Sequence, residues 1–541
     1  MILLFASIIL MLALFAINLS TKSGIPSLLL FLVLGIACSF LGVDFADYQF
    51  SEKFATFALI VIMFYGGFGT NWKMGKPVVK EAAILASLGV VFTALLTGYF
   101  IYLVFKLPFL ESMLIGSIVG STDYASVSNI LKSKNLNLKY STAPLLEVES
   151  GSNDPFAYTM TMLFLSLILG EKVSVPIMIL KQIGLGVLFG FLFAFICGKL
   201  LKVINLQKDG IATIFMAAMA LFAYSFTSVI GGNGYLTCYI FGIIVGNMHF
   251  IGKKDIVFFF DGFSELMNIG LFFLLGLLAT PSRIIASLPI AFAIMLFMTF
   301  VARPVSVVGL MLPFKLKKNQ LLVISWAGLR GAAAIAFAIM ATNAGNGGKL
   351  YSVDVYHIVF GICFLSSIIQ ASFMAAIAIK TDMLDKSDTV LNTFNYYSDK
   401  SDIGFLKTEI TEKSNLAGKK VKDLNLVFNF IIAKIRRDDK TIIPRGEVVL
   451  EQGDTLVFAG EEYFDPHGHE IIEFSIDKNH PWANKKIVDL HLPSNKLILA
   501  INRSGTFIRA AGATVIHADD RILLITDEEI DITANNPNLI E

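Results

Sequence analysis

The sequence predicts an all-α polytopic membrane domain followed by a C-terminal α+β tail of two similar lobes. The chain has 541 residues, of which 55% are hydrophobic and only 16% are charged, whereas soluble proteins carry about 25% charged residues. Apolar runs of the length that crosses a bilayer as a helix recur up to about residue 384. After that residue the sequence becomes charged and alternating, which is typical of β-strands.

Thirteen apolar segments are expected to cross the membrane. Their approximate ranges are 1–19, 24–42, 54–70, 81–105, 109–130, 144–170, 176–205, 211–230, 234–249, 257–279, 284–312, 320–342 and 354–380. If the N-terminus lies outside, the inner loops hold fifteen lysines and the outer loops and span mouths hold six basic residues. The positive-inside rule therefore predicts a cytoplasmic C-terminal tail. The first segment could instead be a cleaved signal peptide, but it lacks a basic n-region.

Four charged residues lie near the middle of these apolar segments: Asp123, Glu149, Asp154 and Arg330. A charge at the bilayer centre costs roughly 2.5 to 3.5 kcal/mol on insertion scales, so such residues are retained mainly where they pair or handle ions. This pattern indicates an ion transporter.

The fifth and twelfth segments each carry a stretch that loosens a helix. Gly120, two hydroxyl residues and Asp123 stand at mid-depth in the fifth segment, and Gly328 to Gly331 interrupt the twelfth. An opened turn at this depth is tolerated only where it lines a polar cavity. An offset of seven segments makes the two cross the membrane in opposite directions, as an inverted repeat requires. The alternative for the fifth segment is a continuous helix kinked at Gly120.

The sixth segment contains the string Glu149 to Pro155, in which two helical stripes have different roles. Glu149 and Asn153 share one stripe, while Ser150 and Asp154 form the next. Arg330 stays charged and needs a buried acid. Glu149 is the preferred partner, because this pairing makes both residues structural and leaves Asp154 free.

A lone buried carboxylate explains exchange, since proton and cation compete for one group. Because Asn153 and not a second acid precedes Asp154, one proton is expected to exchange for one cation without net charge movement.

The chain resembles the cation/proton antiporter-1 family, particularly the bacterial NhaP-type potassium/proton antiporters. The matching strings are Gly120–Asp123, Glu149–Pro155, Ile324–Trp326 with Gly328–Gly331, and, as support, Phe260–Gly262, Gly276–Leu278 before Pro281–Ser282, and Ala302–Pro304. The resemblance covers essentially all of residues 1–380. One departure is Tyr65, which precedes Gly66 and Gly67 where relatives commonly have an acid.

This resemblance implies a homodimer in the bacterial inner membrane, with Asp154 as the exchanging carboxylate. It places Thr122, Asp123 and Ser150 around the ion and makes Glu149, Asn153 and Arg330 a structural scaffold. The expected partners are monovalent cations, protons and the lipid bilayer. No nucleic acid, resident cofactor or metal beyond the transported cation is expected.

The domain boundaries expected from the sequence are 1–384 for the membrane domain, 385–402 for a linker, and 403–465 and 470–530 for the two lobes. The lobes repeat at an offset of 66 residues; the matching pairs are Lys419/Lys485, Lys420/Lys486, Asp423/Asp489, Leu424/Leu490, Arg437/Arg503, Gly446/Gly512 and Asp454/Asp520.

The two lobes look like tandem RCK-C (TrkA-C) regulatory lobes. No GxGxxG motif follows a strand, so a dinucleotide-binding Rossmann unit is not expected. Relatives suggest a small regulatory ligand such as cyclic di-AMP or another nucleotide, and a purely dimerising tail is the alternative. His467 and His469, between the lobes, are interpreted as solvated loop residues and not as metal ligands.

Two other functions are alternatives to antiport. An RCK-regulated cation channel is disfavoured because the chain lacks a TVGYG filter. A non-transporting membrane sensor would leave a buried unpaired acid without a purpose. An enzyme is not expected. The sequence favours a monovalent cation/proton antiporter, with potassium and sodium both open.

Overall fold

The structure is a computed structural model. This structure describes residues 2–23, 27–41, 47–123, 127–128, 131, 138–203, 211–248, 250, 253–384, 403–410, 416–423, 431–437, 440–461, 471–476, 480–492, 496–503 and 506–526. The chain divides into two compact units, Met1–Tyr397 and Ser398–Glu541. The expected linker at 385–402 and the two histidines between the lobes lie outside the described residues.

The first unit is helical, as the sequence predicts. Its main helices are α1 Ile2–Ser23, α2 Ser27–Phe40, α3 Tyr48–Gly69, α4 Lys76–Phe105, α5 Phe109–Ile118, α6 Thr142–Ile168, α7 Val175–Val203, α8 Ile211–Val229, α9 Gly234–Gly246, α10 Lys253–Leu278, α11 Pro281–Phe314, α12 Lys318–Trp326, α13 Ala332–Ala344 and α14 Val355–Lys380. Each of the thirteen predicted segments coincides with helical structure.

Seven of the described helices are long and apolar enough to cross a membrane by length and composition, and five further apolar helices are shorter. The exact count of thirteen crossings therefore stays a prediction. The shorter helices arise partly because the fifth and twelfth segments are interrupted, as predicted. Helix α5 ends at Ile118, and residues 121–123 are not helical; α12 ends at Trp326, and α13 begins only at Ala332.

Side-chain caps fix several helix starts. The Asp47 carboxylate accepts from the Phe50 N–H at 2.8 Å before α3, and the Asn233 side chain accepts from the Leu236 N–H at 3.0 Å before α9. These side chains satisfy N–H groups that have no partner within the helix.

Glycines bring some helix pairs into backbone contact. A Cβ on Gly67 of α3 would lie 2.3 Å from the Tyr239 carbonyl oxygen, and one on Gly246 of α9 would lie 2.0 Å from that of Phe68. Similar approaches join α2 to α10 at Gly276 and α4 to α5 at Gly116. Small residues allow such close packing between membrane helices, so each of these pairs is a tightly joined unit.

The second unit contains two four-stranded antiparallel sheets. The strands are β1 Ile403–Glu409, β2 Ile431–Arg437, β3 Lys440–Ile442, β4 Thr455–Glu461, β5 Ile471–Ser475, β6 Lys496–Arg503, β7 Thr506–Arg509 and β8 Arg521–Thr526. The strand orders are β1-β4-β2-β3 and β5-β8-β6-β7, so the second sheet repeats the first.

The predicted 66-residue repeat extends to individual hydrogen bonds. Arg437 is paired with buried Asp454 at 2.7 Å, and Arg503 is paired with buried Asp520 at 2.8 Å. In the second lobe Asp519 adopts a φ of 70°, where the first lobe has a glycine. The repeated arginine–aspartate pair therefore stabilises the same turn in both lobes.

Candidate ion-binding site

The interruptions after α5 and α12 cross and bond to each other. The Asp123 N–H donates to the Leu329 carbonyl at 2.8 Å, and a Cβ on Gly331 would lie 2.5 Å from that of Asp123. Arg330 donates from Nη1 to the carbonyls of Gly120 at 2.9 Å and Ser121 at 2.6 Å. Opened turns leave carbonyls without helical partners, and the guanidinium satisfies two of them.

Helix α6 packs against this crossing. The Ser121 hydroxyl donates a short hydrogen bond to Asp154 Oδ1. Ser150 Oγ donates to the Thr122 carbonyl at 2.8 Å, and Asn153 Nδ2 donates to Thr122 Oγ1 at 2.5 Å. The structure thus brings the side chains of α6 against the opened segment after α5.

The predicted pairing of Arg330 with Glu149 is wrong. The Glu149 carboxylate is paired with Arg303, with 2.5 Å between Oε1 and Nη2, and both side chains are buried. Arg303 follows a π turn at Met298–Ala302 within α11. Arg330 instead donates to the carbonyls of Gly120 and Ser121 at the α5 interruption, where the opened turn leaves them without helical partners.

Sequence reasoning therefore missed Arg303 as a partner and Ser121 as a contact of Asp154. A signal for Arg303 existed: it is a basic residue well inside the predicted segment 284–312, where a charge requires a partner. Ser121 has no comparable signal, since the hydroxyl of any of several residues in this stretch could have reached α6.

Asp154 differs from the buried Glu149, five residues earlier on α6. Among the described residues, no basic side chain lies within ion-pair distance of Asp154, whereas Glu149 has Arg303. One oxygen of Glu149 and the amide oxygen of Asn153 also have no hydrogen-bond partner in the part of the chain that is described. Negative charge and free acceptor oxygens therefore concentrate along this part of α6.

Two further polar contacts join helices of the first unit. The Tyr65 hydroxyl of α3 donates to Asp261 Oδ1 of α10 at 2.6 Å. The Asn233 amide donates to the Pro155 carbonyl at 2.7 Å and to Thr159 Oγ1 at 3.1 Å. The second contact ties the start of α9 to α6, one residue beyond Asp154.

Interrupted helices that cross inside a bundle of membrane helices, beside embedded carboxylates, define the class of secondary ion transporters. Residues 9–380 match the family model described as sodium/hydrogen exchanger, transmembrane, and the chain belongs to this family. Residues 408–462 and 471–531 each match the TrkA-C domain.

Named relatives and solved structures are similar to the chain over most of its length. A K(+)/H(+) antiporter, NhaP2, from Shewanella oneidensis is 33% identical over 82% of this chain and 78% of its own length. A probable Na(+)/H(+) antiporter 2 from Methanocaldococcus jannaschii is 28% identical over 60% of this chain and 80% of its own. The structure of the sodium proton antiporter MjNhaP1 from the same organism at pH 8 superposes with a TM-score of 0.64 at 24% identity, covering 70% of this chain and 97% of that one. This last likeness supports the fold.

Proposed function

We propose that the chain exchanges a monovalent cation, potassium or sodium, for a proton at Asp154. The observation that carries the proposal is the position of this carboxylate. It lies at the crossing of two interrupted helices and accepts from Ser121, and within the described residues it has no basic partner. A carboxylate with a permanent arginine partner would have little reason to release and rebind a proton or cation.

Exchange follows from competition for Asp154. Burial disfavours the charged carboxylate, and a bound cation or proton each relieves that cost, so binding of one displaces the other. Thr122, Asp123 and Ser150 surround the cation in this proposal, supported by the contacts between Ser150 and Thr122. Glu149 and Asn153 hold α6 in position through Arg303 and Thr122.

Charge balance favours an electroneutral exchange of one cation for one proton. Arg303 neutralises Glu149, and Arg330 is bound to carbonyl oxygens. Asp154 alternates between a protonated and a cation-bound form, and both forms have the same net charge. One of the relatives is named as a potassium/proton antiporter and the other as a probable sodium/proton antiporter.

The surrounding architecture is proposed in the same way. The N-terminus lies outside and the tail in the cytoplasm of a bacterial cell, supported by the distribution of lysines in the sequence. Two chains form a homodimer. The TrkA-C lobes change the exchange rate in response to cyclic di-AMP or another small nucleotide, without taking part in transport.

Purified protein in liposomes tests the proposal. Cation-dependent change in internal pH should appear with sodium or potassium and should be lost in Asp154→Asn, because an amide cannot alternate between proton and cation. Asp47→Asn is the matched control, since the exposed Asp47 caps the start of α3 and asparagine also caps helices. Cation-dependent proton flux that persists in Asp154→Asn at any pH from about 6 to 9, a range that brackets neutrality, would overturn the assignment.

A further inference from the structure

A cavity of about 270 Å³ lies where the ends of α4, α6, α11 and α12 meet. Buried side chains of Val78, Leu145 and Gln320 line it, and so do the exposed side chains of Lys315 and Lys317. One water molecule requires only roughly 10 to 15 Å³ of such space. The cavity therefore has room for an organic group, and the exposed lysines mark the side on which it opens.

The cavity lies at the level where the apolar helices end. Phe314, the last residue of α11, and Leu316, in the connection to α12, supply apolar lining, and the lysines on either side of Leu316 supply positive charge. This connection is one of the loops that the positive-inside rule predicts to be cytoplasmic. Apolar and basic side chains in one cavity at this level are suited to a phospholipid, whose headgroup is charged and whose chains are apolar.

The cavity carries charges of both signs. Lys317 donates from Nζ to the Tyr140 hydroxyl at 2.9 Å, and Nζ lies 4.0 Å from the centre of that ring. The Lys315 ammonium and the Glu81 carboxylate make no hydrogen bond or ion pair with another residue in the described part of the chain. Lysines alone are expected of any inner loop. An acid that lines the same cavity without pairing with them indicates a ligand that carries both charges.

Two of the lining residues have a left-handed backbone. Tyr140 has a φ of 60° and Lys315 has a φ of 53°, a conformation that bulky residues seldom adopt. The Gln320 amide donates to the Tyr140 carbonyl at 3.3 Å, and Lys317 bonds to the hydroxyl of the same tyrosine. Both ends of Tyr140 are therefore fixed at the cavity. Strained residues that the surrounding structure holds in place are typical of ligand-binding sites.

We propose that this cavity binds the headgroup of an ethanolamine phospholipid. The phosphate accepts from Lys315 and Lys317, the ammonium donates to the Glu81 carboxylate, and the glycerol end lies against Phe314 and Leu316. A primary ammonium has three N–H donors, and its hydrogen bonds to a carboxylate are among the strong ones. A choline lipid has the same phosphate but no N–H on its nitrogen, and a phosphatidylglycerol has no cation. This inference does not depend on the proposed transport function.

The wild-type protein alone provides the first test. The purified full-length chain is placed in detergent micelles with equal amounts of phosphatidylethanolamine, phosphatidylcholine and phosphatidylglycerol that have identical acyl chains, and native mass spectrometry counts the lipids retained. The ethanolamine lipid should exceed the choline lipid by roughly tenfold, as expected for one hydrogen bond to a charged group. Equal retention of these two lipids, or preferred retention of phosphatidylglycerol, would overturn the proposal.

Two variants locate the binding in the cavity. Glu81→Gln should make the retention of ethanolamine and choline lipids equal, because it removes the carboxylate that distinguishes their nitrogens. Lys315→Met should lower the retention of both, because it removes a donor to the phosphate. Lys318→Met and Glu171→Gln are the matched controls, since both residues are exposed and neither lines the cavity. A preference for the ethanolamine lipid that persists unchanged in Glu81→Gln would refute the assignment.

A phosphate ester with an ammonium group could also come from solution as free phosphoethanolamine. Thermal unfolding of the delipidated protein distinguishes the two sources, since a ligand that binds only the folded state raises the melting temperature. Phosphatidylethanolamine should raise it, whereas free phosphoethanolamine at the same concentration should not, because the apolar lining stays uncovered. An equal rise with the soluble ester would overturn the lipid as the occupant, and no rise with either would refute the site.

Discussion

Removal of Arg303 should destabilise the protein strongly, and removal of Glu149 in the same chain should restore much of the loss. The two side chains form an ion pair with 2.5 Å between Nη2 and Oε1, and their exposed fractions are 2% and 1%. At such burial, loss of one partner leaves the other as an uncompensated charge, which costs about 3 to 5 kcal/mol. Arg303→Met keeps the aliphatic volume, so this cost comes from the charge and not from a cavity.

The double variant Arg303→Met with Glu149→Gln removes both charges together. It should recover most of the single-variant loss, since replacing both members of a buried ion pair is often close to neutral. The coupling free energy between the two sites should be about 2 to 3 kcal/mol, at the upper end for residues in contact.

Arg330 provides the matched comparison. Arg330→Met removes the donor to the carbonyls of Gly120 and Ser121, and Glu149→Gln should not rescue it. The assay is thermal unfolding of the purified protein in detergent, with the fraction of monodisperse protein after heating as the readout. Rescue of Arg330→Met by Glu149→Gln, without rescue of Arg303→Met, would refute the pairing seen in the structure and restore the one predicted from the sequence.

Three other outcomes are expected. In an assay driven by sodium, clamping the membrane potential with potassium and valinomycin should leave the exchange rate unaltered; a clear dependence on potential would mean a second coupled proton, with Asp123 the first candidate. Truncation near Asp385 should leave exchange measurable in liposomes but change its dependence on pH or on added nucleotides; complete loss in a well-folded truncated protein would make the tail part of the transport machinery. Arg437 holds the pKa of Asp454 below its usual value, so the stability that this pair contributes is present above about pH 4 and is lost as the pH falls through the lowered value. Arg437→Met should therefore make the tail more sensitive to proteolysis at neutral pH, and the difference from the wild type should shrink in acid. Arg445→Met, at an exposed position, is the control and should not change the sensitivity. A difference between Arg437→Met and the wild type that grows in acid would contradict this.

The membrane segments were predictable because the bilayer fixes the length of an apolar helix and because loops carry the lysines. The interruptions were predictable too. Gly120 and Gly328 each lie beside polar residues at mid-membrane depth, where a continuous apolar helix would not place polar residues. The pairing of charges was not predictable. Sequence position gives the depth of a residue in the bilayer but not which helices face each other, so Arg303 and Arg330 both qualified as partners of Glu149.

The tail shows the opposite case. A constant offset of 66 residues predicts two equivalent lobes, and the matching of Arg437 with Arg503 and of Asp454 with Asp520 marks the pair that the structure joins in each. Repetition supplies information that a single copy lacks, because residues that must contact each other are preserved together in both copies. The contact between Ser121 and Asp154 has no such second copy, and only three-dimensional structure reveals it.

The binding of Arg330 to the carbonyls of Gly120 and Ser121 bears on how such a site would discriminate between cations. Potassium-selective filters replace the water shell of the ion with rings of backbone carbonyl oxygens. Here the carbonyl oxygens of Gly120 and Ser121 already accept hydrogen bonds from the positively charged guanidinium of Arg330. On the proposed mechanism the passing ion is left mainly with carboxylate and hydroxyl oxygens, and the carboxylate attracts a small alkali ion more strongly than a large one because the small ion comes closer. The difference between this attraction and the cost of stripping water from each ion then sets the preference, and substitutions at Ser121 or Ser150 should shift the order among alkali cations more readily than they abolish transport.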